Sequence, residues 1–84
     1  MPKYEPLGEF LRRQADEKYT IHMSFRRLEE IIGEPLPASA RRREWWGNET
    51  AGTHVQAHAW LNAGWSLDKV DLDRGVVTFR RGRP

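Results

Sequence analysis

The sequence predicts a single small α+β domain, with four short helices, a C-terminal β-hairpin and a short third strand. Three observations predict it. Apolar residues recur at helical spacing in four separate stretches; Tyr19-Thr20-Ile21-His22-Met23 is short and rich in β-formers; and the last twenty residues alternate about the turn Asp73-Arg74-Gly75. Eighty-four residues leave room for one core, placed at about residues 4–81, with 82–84 as a loose end. At 38% hydrophobic residues with four Trp, the chain has enough apolar mass to fold. Cysteine is absent, which excludes a disulfide framework, a CxxC zinc site and a thiol nucleophile.

Pro6 suits the first position of a helix over residues 6–15, whose Leu7, Phe10 and Leu11 form one apolar stripe. The β-rich stretch follows as an edge strand. Ser24 can cap a second helix over 25–32, with Phe25, Leu28, Ile31 and Ile32 facing inward and Gly33 closing it in the left-handed conformation. Pro35 and Pro37 break the chain, and a third helix is expected over 38–46. Gly47-Asn48 and Ala51-Gly52 mark a loop. Thr53 and Gln56 fit a capping box at the start of a fourth helix over 54–63, closed by Gly64. Residues 65–72 and 76–80 are the hairpin strands. Apart from the helix over 38–46, this order is that of a winged helix-turn-helix. The helix over 54–63 then takes the recognition position and the hairpin is the wing.

Several motifs occur together: Ser24-Phe25-x-x-Leu28-Glu29, Leu36-Pro37-x-Ser39-Ala40, Trp45-Trp46-x-Asn48, Gln56-Ala57-x-Ala59-Trp60 with Ala63-Gly64-Trp65, and Val77-x-Phe79-x-Arg81. In these the chain resembles a family of small uncharacterised bacterial and phage domains, over about Tyr4 to Arg81. The resemblance names no catalytic residue, and no cofactor is expected.

Charge is uneven. The net of +2 conceals −1 over residues 1–34 and +3 over 35–84, where Arg41, Arg42 and Arg43 adjoin one another and Arg80, Arg81 and Arg83 cluster near the end. Arginine's planar fork suits phosphate. Ser39 adds a hydroxyl at a helix start. His54, His58 and Asn62 fall at i, i+4 and i+8 on the polar side of the fourth helix, within reach of base edges, although an ordinary solvated face has the same pattern. Adjacent helical residues lie about 100° apart, so one of Trp45 and Trp46 is core and the other, taken as Trp46, lies beside the arginines and Asn48, where a ring can stack on a base or anchor a protein. Trp60 and Trp65 read as core.

The expected function is therefore binding of nucleic acid, namely double-stranded DNA, by Ser39, Arg41, Arg42, Arg43, Trp46, Asn48, His54, His58, Asn62, Arg80 and Arg81. The alternative is a protein-interaction module, such as an adaptor or a phage-type inhibitor, using the same Trp and Arg surface; a homodimer would double the phosphate contacts. His54 and His58 have metal-ligand spacing, but Val55 stands where a zinc protease has Glu, and there is no third ligand in sequence reach, so neither metal nor enzyme activity is expected. The absence of a long apolar run, and of an apolar leader in MPKYEPLGEF, predicts a cytoplasmic protein without a membrane partner.

Overall fold

The structure is a computed structural model that describes residues 3–49 and 55–82. In it α1 (Glu5–Arg12), β1 (Thr20–Ser24), α2 (Phe25–Ile32), α3 (Val55–Asn62), β2 (Trp65–Asp71) and β3 (Val76–Arg81) follow in that order. Two single-turn 3₁₀ helices, Ala38–Arg41 and Arg43–Trp46, lie between α2 and α3. The described residues thus contain three α-helices and one three-stranded antiparallel sheet, ordered β1-β3-β2. No helix among them is long and apolar enough to cross a membrane.

The expected helix over 38–46 is broken at Arg42, whose backbone is extended at φ −98° and ψ 135°. The physical reason is the burial of both Ala40 and Trp46. Six residues on a regular α-helix turn about 600°, which leaves those two side chains well apart on the cylinder. With the break, both reach the core, and the Trp46 indole N–H donates to the Ala40 carbonyl at 2.8 Å. A continuous helix would give that carbonyl to the amide of Glu44 instead.

α1 ends three residues earlier than its apolar pattern suggests. The Gln14 side chain donates to the Phe10 carbonyl at 2.9 Å, and the Trp65 indole donates to that of Leu11 at 3.0 Å. Side chains thus add partners for carbonyls of the last helical turn, that of Leu11 also accepting from the Gln14 amide at 3.3 Å. α2 has the expected caps. Ser24 Oγ accepts from the Arg27 amide at 3.0 Å, and Gly33 takes φ 84°, a left-handed conformation that carries little penalty for glycine.

One face of the sheet is buried under the helices through Ile21, Met23, Leu67, Val70, Val77 and Phe79. An aromatic series joins the layers. Phe25 of α2 stacks on Trp46 at 5.2 Å, Trp46 lies parallel to Trp60 of α3 at 6.3 Å, and Trp60 meets Phe79 of β3 at 5.6 Å. Trp46 thus stands between α2 and α3. Trp60 and Trp65 are fully buried, as their spacing suggests.

The opposite face of the sheet is exposed at Thr20, His22, Ser24, Lys69, Asp71 and Arg80, while Ser66 and Thr78 within it are buried. Alternation places Thr20, His22 and Ser24 there from β1, and their partners Arg80, Thr78 and Val76 from β3. On β2 the register shifts between Leu67 and Lys69, so Ser66, Lys69 and Asp71 share this face. Arg81 closes β3, its guanidinium lies 4.5 Å over the Trp65 ring, and it donates to the carbonyls of Lys18 and Ala15 at 2.7 and 2.9 Å.

Candidate nucleic-acid interface

Arg43 is carried to the sheet by the bend at Arg42. Its Nη1 donates to the Val70 carbonyl at 2.8 Å, which occupies part of the outer edge of β2 and holds the guanidinium beside the open face. Lys69 projects there because of the register shift. Arg74 lies in the hairpin turn, where its amide donates to Asp71 Oδ1 at 3.0 Å and its Nε stands 3.9 Å from Asp71 Oδ2. Arg80 lies further along β3, opposite Thr20 and Ser66. His22 Nδ1 is 2.9 Å from the Thr78 hydroxyl at the centre. A shallow groove of about 460 Å³ runs past His22, Arg43, Lys69 and Arg74.

This face therefore brings together four permanent cations, Arg43, Lys69, Arg74 and Arg80, with Asp71 as the carboxylate lining its groove. Lys69 and Arg80 are exposed and have no ion-pair partner among the described residues. Such a face can hold several anionic groups in a row. Among the described residues no cluster of His, Asp and Glu could hold a metal ion.

The residues expected from the sequence do not form one surface. Of the arginine triplet, only Arg43 is held to the sheet; Arg41, Arg42 and Ser39 are exposed on the adjoining 3₁₀ turns. Trp46 is the core member of its pair, 3% exposed, and Trp45 is the half-buried one, edge-on to Tyr4 at 5.9 Å. The reason is again the break at Arg42, which turns Trp46 inward. Asn48 is committed within the fold. Its Nδ2 donates to the Leu67 carbonyl at 2.9 Å, and its Oδ1 accepts from the Leu67 amide at 2.8 Å and the Trp60 indole at 2.9 Å. One side-chain amide thus pairs with the outer edge of β2 as a neighbouring strand would. Arg81 is likewise committed to the Lys18 and Ala15 carbonyls.

His58 and Asn62 lie on α3, in a groove between that helix and α1, on the helical side of the sheet. His54, the Thr53 end of the capping box and Arg83 lie outside the described residues.

Lys69, Arg74 and His22 were not singled out from the sequence. His22 and Arg80 share the parity that a paired β1 and β3 require, which is a usable signal. Lys69 had none, because its direction depends on an irregularity in β2.

The motif residues mostly hold elements together. Trp46, Asn48, Trp60, Trp65 and Arg81 all bond across elements, and Gln56 Nε2 donates to the Trp45 carbonyl at 2.7 Å. Consistent with that pattern, the family model described as Domain of unknown function (DUF7662) matches residues 4–82. No curated protein and no solved structure matches the chain.

Proposed function

We propose that this chain, which belongs to the DUF7662 family, binds double-stranded DNA through the cationic open face of its sheet. The observation that carries the reading is the row of Arg43, Lys69, Arg74 and Arg80, with Lys69 and Arg80 lacking ion-pair partners among the described residues. The central residues of this face are His22, Ser66, Thr78 and Val76, of which only His22 has a ring, and its Nδ1 lies 2.9 Å from the Thr78 hydroxyl. Cations with so little stacking surface between them, and no Phe, Tyr or Trp, suit the phosphates of a duplex. The order of α-helices and strands, and the strand order β1-β3-β2, support a winged-helix-like reading with β2–β3 as the wing, but the cations gather on the sheet and not on α3, so the contact proposed is through the sheet and wing and not through the recognition position. Trp46 and the two 3₁₀ turns are then an elaboration inserted between the two helices of the motif. The protein-interaction reading is weaker, because Trp46 is buried and Trp45 is half-buried against Tyr4.

The test is binding of a labelled duplex by fluorescence anisotropy as salt rises from about 50 to 200 mM. Four neutralised phosphates give a log–log slope of about −3.6. Lys69→Glu with Arg80→Glu should reduce the slope to about −1.8 or less and weaken binding at every salt concentration. No duplex binding at low salt, tighter binding of single strands than of duplex, or an unchanged slope in the double variant would each sink the proposal.

A further inference from the structure

On the helical side, α1 and α3 touch at Gly8. A Cβ there would stand 2.9 Å from the Ala59 carbonyl oxygen, so only glycine permits this approach without a shift of backbone. Beside the crossing lies a groove of about 500 Å³, within the range of small-molecule sites. Its buried and half-buried lining is mostly apolar, from Tyr4, Gly8 and Ala59, with Val55 at the rim. Polar side chains line it as well. Arg12 comes from α1, and His58 and Asn62 from successive turns of α3.

Arg12 differs from its neighbour. Arg13 pairs with Glu9 at 3.9 Å, whereas Arg12 has no carboxylate partner among the described residues. Its Nη1 lies 3.6 Å from the point a Gly8 Cβ would occupy, so the guanidinium is folded back over the glycine into the groove. The side chains of His58 and Asn62 likewise have no hydrogen-bond partner among the described residues. Lys3 and Glu5 also line the groove; the Lys3 ammonium stands 5.6 Å from the Tyr4 ring centroid and 4.0 Å from Glu34.

We infer that this groove is a binding site for a small organic carboxylate with an apolar body. The body lies on Tyr4, Ala59 and Val55. The carboxylate accepts from the Arg12 fork, a charge-assisted geometry that a neutral group cannot match, and the Asn62 amide supplies a further donor. An inorganic anion would leave the apolar lining uncovered. The site is separate from the sheet face and independent of DNA binding.

The probe is 1-naphthoate, with the neutral 1-naphthamide as its comparison, titrated into the full chain and followed by amide NMR. Naphthoate should shift the amides of Gly8, Ala59 and Asn62 saturably and bind about tenfold tighter than the amide, a difference typical of one charge-assisted contact. Arg12→Gln, an exposed substitution that leaves the fold intact, should remove that preference. Lys69→Glu with Arg80→Glu should leave it unchanged, so failure here and failure of the DNA reading are told apart. Absence of saturable binding, equal affinity for acid and amide, shifts centred on the sheet face, or a preference that survives Arg12→Gln would each overturn the inference.

Discussion

Asn48→Ala distinguishes a residue that reads a ligand from one that closes the fold. The substitution removes three hydrogen bonds at once, to both backbone groups of Leu67 and to the Trp60 indole. The losses are unequal. Leu67 lies on the outer strand, where water can partly replace the lost partner, so its amide and carbonyl cost about 1 kcal/mol each. Trp60 is fully buried, so its N–H is left unsatisfied at about 1–3 kcal/mol. The total, about 3–5 kcal/mol, is large against the stability of about 4–13 kcal/mol expected for a chain of this length. Thermal unfolding followed by circular dichroism should show the midpoint falling by about 12 °C or more. In a double-mutant cycle with Trp60→Phe, which removes the indole donor together with part of the buried ring, the two sites should couple by about 1 kcal/mol or more. Below its midpoint, Asn48→Ala should bind duplex DNA as the parent does. A stability loss under about 1 kcal/mol, or a loss of DNA affinity without one, would refute the reasoning and return Asn48 to the interface.

Arg81→Lys keeps the charge but not the planar fork that reaches two carbonyls while stacked on Trp65. It should cost about 1–2 kcal/mol in urea unfolding and speed amide exchange over residues 15–19, while DNA affinity changes little. Gly8→Ala places a methyl against the Ala59 carbonyl, a backbone atom that cannot swing aside, and should destabilise by about 1–3 kcal/mol; a stabilised variant would mean that α1 and α3 do not cross as described.

Much of the fold was legible because local chemistry and tertiary packing agree. α2 begins and ends where Ser24 and Gly33 place it, since an N-cap hydroxyl and a left-handed glycine act within one turn of chain. The hairpin strands and the pairing of β1 with them follow from alternation and turn residues. The candidate site was less legible. Ser39, Arg41 and Arg42 are exposed as a charged cluster suggests, but Trp46, which looks like a ligand group in the sequence, is held between the Phe25 and Trp60 rings, and Asn48 and Arg81 by backbone groups distant along the chain.

The sequence by itself determined the α+β class, the caps of α2, the position of the hairpin and the buried Trp60 and Trp65, because each rests on periodicity or on contacts within a few residues. Only the tertiary structure decided the break at Arg42, the inward turn of Trp46, the clamp of Asn48 on β2 and the gathering of Arg43, Lys69, Arg74 and Arg80 on one face. Those outcomes depend on which backbone groups remain unpaired at the edge of β2 and on where one register shift falls. The first is set by chain segments about twenty or more residues apart and the second by pairing across the hairpin, and a local pattern holds no record of either.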